Sequence, residues 1–271
     1  MALPTDSDSD RTLAIVTGAS AGIGIPLARM VAADGYRPVL VARRADRMEE
    51  LAAELASSHG VKPIIVPLDL SRPDAPERLL EALGDRAPVE ILMNNAGLGA
   101  WGPFAETTIE GATTILRVNV EALTRLTRLF VDGMRERGRG YILNVASTAA
   151  FLPGPDMAVY YASKAYVLSF TEALSQELRG SGVKVTALCP GPTRTEFHDV
   201  AEMSGSRLMG KLWWMSADQV AEVGYRALRA GRPVVVPGFI NKAMTFAPRL
   251  IPRSLTTRLV ARVQSRRRQA E

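Results

Sequence analysis

Seven short runs of β-branched and aliphatic residues recur along this chain of 271 residues, and every interval between them is long enough to hold a helix. The runs are LAIVT (13–17), RPVLVA (37–42), VKPIIVPLDL (61–70), VEILMNNAG (89–97), YILNVAS (141–147), VKVTALCPG (183–191) and PVVVP (233–237). Helical spacing of apolar residues fills 22–33, 45–58, 106–136 and 157–179. Strands joined through helices cannot pair as hairpins. They pair in parallel through right-handed crossovers, and a parallel sheet is covered on both faces. Unbroken apolar triplets such as IIV and VVV suit strands buried on both sides. The expected class is therefore α/β: one doubly wound, mostly parallel, seven-stranded sheet with helices on both faces, spanning residues 11–238.

The first strand runs directly into Thr17-Gly18-Ala19-Ser20-Ala21-Gly22-Ile23-Gly24. Glycines at 18, 22 and 24 permit a tight turn and let backbone approach a pyrophosphate at a helix N-terminus. The spacing is GxxxGxG, and its place between a strand and a helix makes it a Rossmann-like dinucleotide loop, with Ile23 inside it. The end of the second strand selects the nucleotide. A site for NAD places an acid there to accept from the ribose 2′-hydroxyl. This chain has Arg43 and Arg44 instead, two guanidiniums matched to a 2′-phosphate, and Ser20 offers a hydroxyl to the same group. NADP(H) is the expected cofactor. Asp69, closing the third strand, is placed for the adenine or for capping with Ser71. Asn95, Ala96 and Gly97 close the fourth strand, where small residues let backbone lie beside a cofactor.

The order TGASAGIG, NNAG, Asn119, Ser147, Tyr160-Tyr161-Ala162-Ser163-Lys164 and PGPTRTEF (190–197) resembles the short-chain dehydrogenase/reductase family over residues 11–237. The family spacing YxxxK selects Tyr160 with Lys164. Residues four apart share a helix face, whereas Tyr161 points about 100° aside. The resemblance implies reduction of a carbonyl to an alcohol, with Asn119, Ser147, Tyr160 and Lys164 catalytic; the alternatives are a non-catalytic NADP-binding sensor or scaffold, or an NAD(P)-dependent alcohol dehydrogenase acting mainly in the oxidative direction. A hydride delivered to a carbonyl leaves an alkoxide that needs a proton, which Tyr160 would supply as general acid. Lys164, with the positive nicotinamide in the oxidised state, is expected to lower the tyrosine pKa, and Ser147 to stabilise the developing negative charge on the carbonyl oxygen. The resemblance further implies that Lys164 holds the nicotinamide ribose and that Asn119 holds a water relaying protons. It also sets Pro190 and Gly191 beside the nicotinamide, with Thr193 on its carboxamide, and makes a homodimer or homotetramer the expected assembly. Taken singly, each of these residues has an ordinary structural use; their ordered combination is what points to the chemistry.

The substrate end is less determined. By the same resemblance, residues 198–215 are a substrate lid. Met203, Leu208, Met209, Leu212, Trp213, Trp214 and Met215 make it apolar and adaptable. Phe151, Leu152, Pro153 and Met157 are expected to form the facing wall, with Leu98, Ala100 and Trp101 beside them. A bulky apolar ketone or 3-oxoacyl thioester fits such walls. Packing or an oligomer contact explains the same residues.

From Phe239 to Glu271 eight lysines and arginines face one acid, so this stretch carries +7 and the remainder of the chain −2. Residues 239–271 read as a basic amphipathic extension, with Leu255, Leu259, Val260 and Val263 as a stripe among Arg258, Arg262 and Arg266. Three partners compete for it: an anionic membrane surface, an acidic acyl carrier, or a neighbouring subunit. Pro248 and Pro252 interrupt any long helix. No nucleic-acid module accompanies the charge, so no nucleic-acid partner is expected. A single cysteine, Cys189, excludes an intrachain disulfide. Residues 1–10 lack the pattern of a signal peptide, and no run reaches about 18 apolar residues. A cytoplasmic setting is expected; for the tail, packing combined with weak attraction to an interface is favoured, and peripheral membrane contact stays open. His59 and His198 match no catalytic position, and no metal is implied.

Overall fold

A computed structural model describes residues 11–84, 86, 88–196 and 214–265, with side chains omitted at 249 and 263–265. The sheet strands are β1 (Leu13–Thr17), β2 (Arg37–Ala42), β3 (Ile64–Pro67), β4 (Val89–Asn94), β5 (Gly140–Val145), β6 (Val183–Leu188) and, after a separate two-strand pair, β9 (Val234–Val235). They form one seven-stranded sheet in the order β3-β2-β1-β4-β5-β6-β9, and every pairing is parallel. This is the doubly wound Rossmann-like architecture expected from the alternation of runs and helices. The order reverses between β1 and β4, and the crevice at that switch point opens at the carboxyl ends of the strands.

Side chains alternate across the sheet with period two. Leu13, Ile15, Val39 and Val41 enter one core layer, while Ala14, Val16, Leu40 and Ala42 enter the other. The first layer is completed by α3 (Ala75–Leu83) and α5 (Leu123–Glu136), through Leu79, Leu126 and Phe130. The second is completed by α1 (Gly24–Ala33), α2 (Ala45–His59) and α7 (Ala217–Arg229), through Leu27, Leu55 and Val220. Leu27, Leu40, Leu55, Leu79, Ile91 and Leu92 are fully buried, each worth about 1.5–3 kcal/mol of transfer free energy. Helix α7 begins with a capping box, in which the Ser216 hydroxyl accepts from the Gln219 N–H and the Gln219 side chain accepts from the Ser216 N–H.

The helical stretch anticipated over 106–136 is not continuous. It consists of α4 (Ile109–Leu116), a π-helical segment (Arg117–Ala122) and α5. Strands β7 (Thr193–Arg194) and β8 (Met215–Ser216) form a small parallel pair outside the main sheet. After β9 come α8 (Phe239–Phe246), a 3-10 turn at Ala247–Leu250 and α9 (Arg253–Ser265). The prolines at 248 and 252 fall at the breaks, as their fixed φ and missing N–H require. Among the described residues no helix is long and apolar enough to cross a membrane.

Candidate active site

A cleft of about 490 Å³ lies at the carboxyl ends of the central strands. Its walls include Gly18, Ser20, Gly22, Ile23, Arg43, Arg44, Asp69, Asn95, Ala96 and Gly97. Ser147, Met157, Tyr160, Lys164, Pro190, Gly191 and Thr193 complete them. Residues far apart in sequence and singled out for different reasons thus share one cavity.

The glycine loop is a cradle that side chains would fill. A Cβ at Gly24 would lie 2.2 Å from the Gly18 carbonyl oxygen, and one at Gly18, where φ is +67°, would lie 2.9 Å from Asn95 Nδ2. Asn95 braces the loop: its Nδ2 donates to the Thr17 carbonyl at 2.9 Å and to that of Gly18 at 3.3 Å. Buried Thr17, which the sequence reading did not single out, ties the two strand ends together. Its hydroxyl accepts from the N–H groups of Asn95 and Ala96 at 3.0 Å and donates to the Met93 carbonyl at 3.2 Å. The only signal for Thr17 was its place as the last residue of β1.

The two arginines differ. Arg44 Nη2 pairs with Glu196 at 2.9 Å and reaches the Ser20 carbonyl at 3.4 Å. Arg43 is exposed on the cleft wall and makes no hydrogen bond or ion pair among the described residues. Its charge acts on Asp69. Burial raises the Asp69 carboxyl, but hydrogen bonds from Ser71 and the charges of Arg43 and Arg72 outweigh it, and the net shift is downward. Asp69 accepts from the Ser71 N–H at 2.9 Å and its hydroxyl at 2.8 Å. It makes a local turn there, several residues before α3 begins.

The catalytic candidates converge from three elements. Ser147 follows β5; Tyr160 and Lys164 lie on α6 (Ala158–Glu177); Asn119 lies in the π-helical segment. The Ser147 side chain hydrogen-bonds the Tyr160 hydroxyl and accepts from the Ala149 N–H at 3.1 Å. Lys164 is buried, with Nζ donating to the Val145 carbonyl at 2.8 Å and sitting 5.9 Å from the Tyr160 ring centre. Asn119 accepts from the Leu98 N–H and donates to the Leu98 carbonyl, both at 2.8 Å, and donates to Ser163 Oγ at 2.9 Å. Ser163 in turn donates to the Tyr160 carbonyl at 2.7 Å. The wider π turn, a feature frequent at functional sites, holds this amide against both the loop after β4 and the catalytic helix.

The lysine and the positive nicotinamide of an oxidised cofactor were together expected to lower the tyrosine pKa; in the protein alone the Tyr160 phenol is pushed up to about 12. Desolvation is the largest cause, and the hydrogen bond from Ser147 offsets it only in part. Burial pushes Lys164 down to about 8. Lys164 turns its ammonium to the Val145 carbonyl, so the two groups share a desolvated site without the close charge contact that favours a phenolate.

Several placements differ from the reading of the sequence. Phe151 lies in the 3-10 turn at Thr148–Phe151 and packs on the core cluster of Ala146, Val167 and Cys189, away from the cleft walls. Met157 does line the cleft, with Leu98 and Tyr161. The Tyr161 ring stands edge-on to Tyr160 at 77° and covers Gly154, where a Cβ would meet it at 2.3 Å. Trp214 is not among the cleft walls, and Met215 packs toward the second core layer. Met203, Trp213 and His198 lie outside the described residues. His59 is exposed at the end of α2, and Cys189 is fully buried. The Thr193 hydroxyl donates to the Gly191 carbonyl at 2.9 Å. Behind that turn stands Asn241 of α8, whose Oδ1 is 2.3 Å from where a Gly191 Cβ would be. No spacing rule pointed to Asn241. Among the described residues there is no group of three or more His, Cys, Asp or Glu able to hold a metal.

The sheet order and the glycine cradle at its switch point define a Rossmann-like dinucleotide-binding fold. The chain belongs to the short-chain dehydrogenase family, whose model, described as short chain dehydrogenase, matches residues 12–203. It is 40% identical over 179 residues to a very-long-chain 3-oxoacyl-CoA reductase of Phaeosphaeria nodorum, a match covering 64% of this chain and 52% of the relative. The matched stretch thus spans about half of that relative's length. It is 35% identical over 223 residues to 1-deoxy-11-beta-hydroxypentalenate dehydrogenase of Streptomyces exfoliatus, covering 81% of this chain and 80% of the relative. A short-chain dehydrogenase from Sphingobium yanoikuyae, solved in complex with NADPH, superposes with a TM-score of 0.78. It is 31% identical, and the match covers 90% of this chain and 97% of that one.

Proposed function

We propose that this protein reduces a bulky apolar carbonyl to an alcohol with NADPH, and that Tyr160 is the proton donor. The observation that carries the reading is the Ser147–Tyr160–Lys164 group in one cleft, with Ser147 hydrogen-bonded to the Tyr160 hydroxyl. A phenol is protonated at neutral pH, and the reductive step consumes a proton at the new alkoxide oxygen.

The residues present fit the cofactor. The glycine cradle at the N-terminus of α1 suits a pyrophosphate, which the backbone N–H groups and the helix dipole attract. Arg43 is the group for the 2′-phosphate, with Ser20 beside it and Arg44 held to Glu196 at the rim. Asp69 borders the adenine side, and Pro190, Gly191 and Thr193 the nicotinamide side. NADPH, when bound, supplies the hydride. Ser147 donates to the carbonyl oxygen and stabilises its developing charge. Tyr160 passes its proton to that oxygen. Lys164 orients the ribose, and Asn119 keeps the loop at Leu98 and the helix at Ser163 in register while supporting proton return through water. Met157, Leu98 and Tyr161 give the substrate side apolar walls, and the relative named for 3-oxoacyl-CoA reduction supports an acyl or ring ketone of that character.

The test is a panel of aliphatic, cyclic and 3-oxoacyl thioester ketones assayed with NADPH by loss of its absorbance. Turnover of at least one apolar ketone by wild type, absent in Tyr160→Phe with NADPH binding retained, is the expected result. Activity that survives Tyr160→Phe would overturn the assignment.

A further inference from the structure

The last described segment turns its polar side inward. In α8 the buried side chains are Asn241 and Thr245, one helical turn apart, whereas Phe239, Met244 and Phe246 are 85%, 44% and 55% exposed. The following turn adds Leu250 at 75%. In α9 Thr256 is buried and Val260 half-buried, while Leu255 and Leu259 of the anticipated stripe face outward. Of the thirteen large apolar side chains exposed among the described residues, seven lie between Phe239 and Leu259, too dense a group for ordinary surface scatter. A helix in water buries its apolar stripe; these helices do the reverse, which suits a medium other than water.

Charge selects that medium. Lys242, Arg253, Arg258 and Arg262 are exposed on the same segment, and it contains no acid. A two-fold contact between copies of this face would set like charges against each other. An anionic lipid surface satisfies both features, with headgroups for the cations and the acyl boundary for phenylalanine and leucine. The inner side of α8 reaches the cleft. Asn241 stands against Gly191, and α8 packs on the Thr148–Phe151 turn beside Ser147.

We propose that residues 239–265 form a docking surface that lies flat on an anionic bilayer and brings the cleft beside the phase in which an apolar substrate dissolves. The substrate clause rests on the reductase reading; the docking does not.

The test is co-sedimentation of the full chain with phosphatidylcholine vesicles and with vesicles of phosphatidylcholine mixed with phosphatidylserine. Wild type is expected to sediment with the mixed vesicles, to stay soluble with the neutral ones, and to be released by salt. Phe246→Ser combined with Leu250→Ser should lower partitioning at least about tenfold. Arg253→Gln and Arg258→Gln should each lower it about fivefold. Both sets should keep wild-type turnover of a water-soluble ketone, so loss of docking and failure of the reductase reading give different results. Wild type that stays soluble with the mixed vesicles overturns the proposal, as does equal sedimentation with both compositions. If wild type ignores vesicles and Phe246→Ser with Leu250→Ser converts a dimer to a monomer in sedimentation velocity, the face belongs to a second copy and the proposal also fails.

Discussion

Arg43 and Arg44 stand side by side at the end of β2, yet the structure assigns them unequal tasks, and Arg43→Ala measures the difference. Among the described residues Arg43 has no hydrogen bond or ion pair to give up before it meets a phosphate, only its longer-range attraction to Asp69. A charge-assisted hydrogen bond contributes about 1.5–3 kcal/mol, so removing Arg43 should weaken NADPH binding by about 10- to 150-fold. NADH, which lacks the 2′-phosphate, should bind Arg43→Ala almost as well as it binds wild type. Arg44 is already committed to Glu196 at 2.9 Å, and that pair is nearly half exposed, worth under about 1 kcal/mol. Arg44→Ala should therefore change NADPH affinity by less than about fivefold. Glu196→Gln should tighten NADPH binding by withdrawing a carboxylate from the phosphate's neighbourhood. Fluorescence titration of the reduced cofactors at fixed ionic strength reads all four proteins. Equal NADPH and NADH affinity in wild type would refute the cofactor assignment. A loss in Arg44→Ala as large as in Arg43→Ala would refute the division of labour.

Tyr160→Phe should abolish turnover, while Tyr161→Phe should retain it within about tenfold, since the hydrogen bond to Ser147 belongs to the Tyr160 hydroxyl; steady-state kinetics on the same ketone decides between them. Lys164, with a folded-state pKa of about 8 against a free value near 10.4, gives stability a definite slope. Between pH 8 and 10 the unfolded chain holds a proton at Lys164 that the folded chain has released, which adds a rising contribution to unfolding free energy of at most about 1.4 kcal/mol per unit, while the Cys189 thiol, pushed up to about 12 by burial, opposes it above about pH 9. Urea melts of wild type and Lys164→Met across that range should therefore differ by the Lys164 contribution, which is absent from the variant. Gly191→Ala has room in φ but not in space, because its Cβ would press on Asn241 Oδ1; it should cost about 1–3 kcal/mol, and adding Asn241→Ala should recover part of that loss in denaturant midpoint.

What the sequence made legible was whatever depends on local spacing. Strands showed as β-branched runs, the glycine loop showed because its backbone needs no neighbours to be recognised, and the four-residue step from Tyr160 to Lys164 is a property of any helix. The Ser216-x-x-Gln219 cap of α7 was equally visible in principle and was missed. Long-range partners were not legible. Glu196 lies 152 residues from Arg44, and Asn241 reaches Gly191 only because α8 folds back under the turn after β6. Phe151 was assigned to the substrate side by its apolar character and its place between Ser147 and Tyr160, but the same character suits the core cluster it joins. The sign of the Tyr160 shift depended on the balance between desolvation and a lysine whose ammonium turns to a backbone carbonyl, and neither quantity is contained in a motif.

The choice between two adjacent tyrosines shows how these levels meet. A rotation of α6 by one residue would carry Tyr161 to the position of Tyr160, and aromatic burial alone would not oppose it. Directional bonds do. Lys164 and Thr171 are seven residues apart, two turns along one face. Lys164 donates to the Val145 carbonyl at the end of β5, while Thr171 accepts from Asn144 Nδ2 at 3.0 Å. Asn144 accepts from Asn94 Nδ2 at 2.9 Å, which also donates to Thr127 of α5 at 3.1 Å. Asn119 adds a bond to Ser163 on the adjoining face. A one-residue rotation of α6 would break the bonds of Lys164, Thr171 and Ser163 in a buried setting, where each unpaired polar group costs about 1–3 kcal/mol. The polar ladder through β4 and β5 therefore fixes the azimuth of α6, and that azimuth, more than any preference of the tyrosines, places Tyr160 against Ser147.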